Sequence, residues 1–147
     1  MTDISDTRAL VIEKFIKIEW LVNVIISQHY LGRSDKQFML EFLYDEYCSF
    51  GLKRRVLIKI SPALKGKVEN DLNRLNTIRN YFAHVGIEIF SPSVPSGPGR
   101  VPDPRDHSRS VDFDELHKEF LELERPVVIA LANHFQSIGG QLKLKET

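Results

Sequence analysis

Apolar residues recur every three or four positions through four long segments of this chain. No convincing run alternates with period two; Gly86 to Phe90, short and β-branched, comes nearest. A period near 3.6 buries one face of a helix, whereas a half-buried strand needs a period of 2. The spacing predicts an all-α fold, an antiparallel bundle of four to five helices. The 147 residues, 42% of them hydrophobic, suit one soluble domain spanning 1–147. A chain of that size buries roughly two-thirds of its surface. No internal repeat is present.

The first helix is expected from about Asp6 to Leu31, with Gly32 ending it. Glu13, Lys17, Ser27 and Gln28 share one stripe, and Leu10, Ile12, Phe15, Ile16, Trp20, Leu21, Val24 and Ile25 fill most of the rest. That is more apolar surface than one core face requires. It suits either the central helix of a bundle or a helix that serves both a core and a subunit interface. A second helix opens on Ser34-Asp-Lys-Gln37, a capping-box pattern. Its apolar face is Phe38, Met39, Phe42, Leu43, Tyr47 and Phe50, and Gly51 ends it. A third, short piece runs from Leu52 to Ile60 with Leu52, Val56, Leu57 and Ile60 at helical spacing, closed by Ser61-Pro62.

The next long helix spans about Gly66 to Ala83, with Val68, Leu72, Leu75 and Phe82 on its core stripe. Residues 91–110 hold five of the chain's seven prolines among serines and glycines, so they read as a long loop within the domain. The last helix starts near Asp112, with Glu115 three residues on. It carries Phe113, Leu116, Phe120, Leu123, Val127 and Leu131, is expected to kink at Pro126, and stops at Gly139-Gly140.

Twenty basic residues balance twenty acidic ones, which excludes a strongly basic nucleic-acid coat or an acidic tail as a whole-chain property. The single cysteine, Cys48, cannot form an internal disulfide and fits a reducing cytoplasm; its aromatic neighbours suggest a core position. No Cys/His spacing suits zinc, no Gly-rich phosphate loop occurs, and His29, His117 and His134 lack ligand spacing, so no metal or cofactor is expected. The N-terminus does not read as a signal peptide. Leu10 to Leu31 is interrupted by Glu13, Lys14, Lys17, Glu19 and Asn23, a poor membrane span.

The segment with most chemistry is Ile78-Arg79-Asn80-Tyr81-Phe82-Ala83-His84. At about 100° per residue, Arg79 falls on the line of Val68, Leu72 and Leu75. A guanidinium then stands where a leucine is expected, and it needs a partner or a wet cleft. In a continuous helix His84 points well away from Arg79. Either the last turn unwinds before Gly86 and brings His84 back, or Asn80 and His84 share a face at i,i+4 with Arg79 beside them. The spacing equally suits an arginine paired with a buried carboxylate and a histidine capping the helix end.

Leu75-Asn-Thr-Ile-Arg-Asn-Tyr-Phe-Ala-His84 resembles the signature of the HEPN superfamily: an arginine, a polar residue, then a histidine four to six positions on, near a helix end in an all-α bundle. Arg79, Asn80 and His84 match it, and the segment is especially similar to the mannitol operon repressor group. The Pro-rich loop departs from the pattern. Gly86 stands where some HEPN toxins carry a modified tyrosine. The resemblance implies a metal-independent endoribonuclease, of the kind used in toxin–antitoxin or phage-defence systems. In such enzymes the RNA 2′-hydroxyl attacks the adjacent phosphate, the site lies at a homodimer interface, and an antitoxin or regulatory protein is a partner. It implies Arg79 and His84 as catalytic, with Asn80 assisting. It also admits a non-catalytic regulator acting through protein contacts, or a module working with a nucleotidyltransferase.

Weaker signals accompany it. Lys53, Arg54, Arg55, Lys59, Lys65 and Lys67 form a run with no acid between Glu46 and Glu69. Lys53, Arg54, Arg55 and Lys59 suit a phosphate backbone, or simply a solvated helix face. Glu19 and Asn23 read as a solvated i,i+4 pair or as partners of Arg79. Arg100, Arg105, His107 and Arg109 give the Pro-rich loop some positive character, partly offset by Asp103 and Asp106.

Overall fold

The computed structural model describes residues 4–83, 100–102 and 110–142. Five α-helices carry most of them: α1 Ile4–Leu31, α2 Lys36–Phe38, α3 Phe50–Ile60, α4 Lys67–Ala83 and α5 Phe113–Ser137. The helical class expected from the periodicity is what forms. The chain divides into two compact units, Met1–Ile16 with Arg74–Glu124 and Lys17–Asn73 with Arg125–Thr147. Helices α1, α4 and α5 each contribute a stretch to both units.

In the first unit, Val11 and Phe15 of α1, Leu75, Ile78 and Phe82 of α4, and Phe113, Leu116 and Phe120 of α5 are buried. Phe82 meets Phe113 edge-on at 6.4 Å, the arrangement that aromatic quadrupoles favour. Arg74 forks onto Glu119, with Nε 2.9 Å from Oε1 and Nη2 2.8 Å from Oε2. This carboxylate raises the pKa of Arg74 above its ordinary value. Asp112 caps α5, its Oδ1 accepting from the N–H groups of Asp114 and Glu115 at 2.9 and 3.1 Å. The helix then continues unbroken through Pro126.

The segment expected to be loop throughout contains a short ladder instead. Residues 100–102 (β1) and 110–112 (β2) pair antiparallel, Val101 opposite Val111 and Pro102 opposite Ser110. Proline density forbids a long strand, but it permits three residues in which a β-branched pair sits at the centre and Pro102 at the end.

In the second unit every residue from Leu21 to Ser27 is buried. Seven consecutive buried positions mean that this stretch of α1 is covered around its whole circumference, which uses much of the apolar excess seen in the sequence. Ser27 belongs inside: its Oγ donates to the Arg33 carbonyl at 2.7 Å and accepts from the Asp35 N–H at 2.8 Å, tying down the turn after Gly32. Gly32 itself has φ of +70°, the conformation expected of a glycine ending a helix.

The second expected helix is the main departure. Asp35, one residue past Ser34, is the cap, accepting from the Phe38 N–H at 2.8 Å. That bond first, and Arg33 second, hold the Asp35 carboxyl below its ordinary pKa. After one α-turn the chain becomes a π-helix, Met39–Leu43, closed by the Tyr44 N–H on the Met39 carbonyl at 2.9 Å. The helix does not reach Gly51. Asp45 takes the Tyr47 N–H, and Ser49 Oγ takes the Leu52 N–H to start α3. Short polar side chains that bond nearby backbone compete with helix continuation, and here they win. Gly51 consequently lies inside α3.

The buried face of α3 is Phe50, Lys53 and Leu57, while the expected core residue Leu52 is exposed. At the far end of α5 the Gly139 N–H bonds the Gln136 carbonyl and the Gly140 N–H the Phe135 carbonyl, a Schellman closure with Gly139 at φ +92°. A methyl group on Gly140 would overlap the buried Phe135 ring.

Candidate functional site

Arg79 lies in the last turns of α4, in the first unit. Leu72, Leu75, Ile78 and Phe82 are fully buried, so Ile78 continues the core stripe and Arg79 stands at its margin, half-buried. Its Nη2 donates to Asn76 Oδ1 at 2.6 Å, one turn earlier on the same helix. The guanidinium carbon is 4.6 Å from the centroid of the Phe15 ring on α1. A flat cation over a ring face gains electrostatic attraction and loses rotational freedom. The two contacts therefore set the plane of the fork before any ligand arrives. Asn76 was not singled out in the sequence, although its i−3 spacing from Arg79 could have found it; Phe15, 64 positions away, could not be found locally.

Asn80 is half-buried at the next position, followed by buried Tyr81 and Phe82. His84, the histidine of the motif, lies outside the described residues, as do Arg105, His107 and Arg109 of the Pro-rich segment. The structure thus places Arg79 and Asn80 and leaves the His84 alternatives where the sequence left them.

The basic run does not form one surface. Lys53 is 1% exposed, with Nζ 2.8 Å from Glu19 Oε1 and 4.9 Å from the Tyr44 ring centroid. A lysine so enclosed and so paired presents no charge to a phosphate backbone. Arg54 approaches Glu69 at 3.8 Å and Lys67 meets Asp71 at 2.7 Å, while Arg55 and Lys59 face solvent one turn apart on α3. Glu19 and Asn23 are likewise not a solvated pair. Glu19 partners Lys53, and Asn23 is fully buried with neither amide atom hydrogen-bonded among the described residues. An amide left that way costs about 1–3 kcal/mol.

A second pair with chemical potential stands in the second unit. Ser61 Oγ is 2.7 Å from His134 Nε2. Ser61 is buried, so the pair lacks the access that an activated serine needs. Its consequence is for stability. Burial holds the His134 pKa below its ordinary 6.5. The unfolded chain then takes up a proton that the folded chain resists. The associated stability is complete above pH 6.5 and is lost as pH falls through 6.5 towards the folded value. The thermal midpoint is expected to drop between about pH 7.5 and pH 5.5, and His134→Gln, which can still bond Ser61, to flatten that slope in circular-dichroism melts.

Among the described residues no group of three His, Cys, Asp or Glu side chains could hold a metal ion. No helix among them is long and apolar enough to cross a membrane. Comparison with protein-family models, with curated proteins and with solved structures finds no match.

Proposed function

We propose that this chain is a HEPN-like, metal-independent endoribonuclease that works as a homodimer. The observation carrying the proposal is Arg79: a guanidinium at the margin of an apolar stripe, its plane set by Asn76 and Phe15, five residues before His84. A fork of donors held in this way suits phosphate oxygens, and on this proposal His84 of the same motif is the titratable group. The mostly helical described residues, with Arg79 and Asn80 in the last turns of α4 and a long helix after it, agree with the resemblance.

In this reading the RNA 2′-oxygen attacks the adjacent phosphorus as its proton leaves, and the bond to the 5′-oxygen breaks as that oxygen gains a proton. The products are a 2′,3′-cyclic phosphate and a 5′-hydroxyl. His84 carries a proton, since imidazole titrates near neutral pH. Arg79 donates to the non-bridging oxygens, where negative charge accumulates. Asn80 assists by orienting His84 or bonding a phosphate oxygen. The dimer contact falls on the first half of α1, where exposed Ile16 lines a shallow groove together with Arg8, Ala9, Ile12 and Glu13. Under two-fold symmetry the Arg8 of one protomer can meet the Glu13 of its partner.

The test is RNA cleavage in excess EDTA with identification of product ends. Wild type is expected to leave 2′,3′-cyclic phosphates, and His84→Ala to lose about 10²–10⁴-fold while keeping its circular-dichroism spectrum. Equal cleavage by His84→Ala removes the assignment. Absence of cleavage by folded protein across mixed RNAs, tRNA included, favours the second reading, a non-catalytic HEPN-like regulator. The exposed aromatic surface of the second unit supports that reading.

A further inference from the structure

Five large apolar side chains between Leu40 and Leu52 face solvent, led by Tyr47 at 85% and Phe42 at 61% exposure. Glu41, Phe42, Asp45, Tyr47, Cys48 and Leu52 line a shallow groove of about 370 Å³ in the second unit. The π-helix helps produce it. Met39 and Leu43 turn inward while Leu40 and Phe42 turn outward, and Phe38 lies 5.6 Å behind the Phe42 ring. A contiguous apolar surface of this kind costs solubility, and in soluble proteins it usually marks a binding face. π-Helical turns are likewise frequent at functional sites.

Charge selects the occupant. From Gln37 to Leu52 the chain carries Glu41, Asp45 and Glu46 and no base. Lys36 and Arg55 flank this stretch exposed and Lys53 is buried against Glu19, but the groove itself is lined by Glu41 and Asp45 and by no base. The surface is therefore aromatic and acidic. Exposed tyrosines could stack on bases, but the two carboxylates that line the groove repel the phosphates that would accompany them. A second copy docking through the same face would set like charges against each other. A basic segment with its own apolar side chains satisfies both features. We propose that the Leu40–Leu52 face is a docking site for a basic amphipathic segment of a partner protein. Phe42, Tyr47 and Leu52 are its apolar anchors, and Glu41 and Asp45 its ion-pairing rim.

This proposal does not rest on the ribonuclease reading. Its test uses the whole chain and a fluorescein-labelled helical peptide of about 18 leucines and lysines arranged amphipathically, beside the same peptide with glutamate for lysine. The lysine peptide is expected to bind with Kd of about 10–100 µM in low salt, and to shield Cys48, the chain's single cysteine and a lining residue of the groove, from maleimide. Phe42→Ser/Tyr47→Ser and Glu41→Lys/Asp45→Lys should each weaken it about tenfold or more. All four positions are exposed, so the variants should melt like wild type, and they should leave any RNA cleavage unchanged. Four outcomes overturn the proposal. They are equal binding of the glutamate peptide, unchanged affinity in both double variants, RNA binding that depends on Phe42 and Tyr47, and a wild-type dimer that sediments as monomer in Phe42→Ser/Tyr47→Ser.

Discussion

Arg79→Ala is expected to lower RNA cleavage by about 10²–10³-fold, the usual cost of removing one donor from a developing oxyanion. Arg79→Lys should recover little of it. A lysine keeps the charge but cannot offer the planar fork, and its ammonium does not lie flat over Phe15 or bond Asn76 in the same geometry. The stability change should be small beside this, about 1–2 kcal/mol, because the half-buried side chain gives up its contact with the Phe15 ring and its hydrogen bond to Asn76. Single-turnover cleavage rates and melting curves on the same preparations separate the two. If Arg79→Lys cleaves as wild type does, the guanidinium shape has no catalytic part. If Arg79→Ala unfolds, the residue belongs to the core rather than to a site.

The largest stability effect is expected at Glu19. Glu19→Leu leaves the Lys53 ammonium 1% exposed and without its carboxylate, and stranding a buried charge costs about 3–5 kcal/mol. Lys53→Met should cost less. Glu19 keeps 23% of its side chain exposed and can rehydrate, and methionine fills most of the lysine's volume. In the double variant no charge remains, so most of the loss should return. Urea unfolding of the four proteins gives the coupling directly. Losses that simply add, within about 0.5 kcal/mol, would mean that the pair is not coupled.

The two predictions concern positions that helix spacing marks in different ways. The spacing puts Arg79 on the line of Val68, Leu72 and Leu75, where an unneutralisable cation is conspicuous; in the structure Ile78 takes that line and Arg79 stands at its margin. The basic run offers Lys53 either to a phosphate backbone or to a solvated helix face, and the side chain is enclosed instead. Phe50, three residues before, and Leu57, four after, put Lys53 on the buried face of α3, and Arg54 and Arg55 lie off it. What meets its charge there is Glu19, 34 positions away, with the Tyr44 ring beside it. Arg79 is thus legible in the sequence as an unusual cation, while the orientation of its guanidinium depends on Phe15 across the unit.

Local chemistry settled the features whose partners lie within a turn or so. The 3.6 period produced helices. Gly32 and Gly139 ended them through positive φ, and Asp112 opened α5 by accepting from N–H groups two and three residues on. These follow from backbone geometry and hydrogen bonds that any chain with those residues would make. Packing between distant segments settled the rest. It made Lys53 rather than Leu52 the inward residue of α3, enclosed Asn23 and Ser27 inside the second unit, and paired residues 100–102 with 110–112. The physical reason is the same in each case. Burial free energy depends on which surfaces meet, and a periodic pattern tells a helix which face is apolar without telling it what that face will touch.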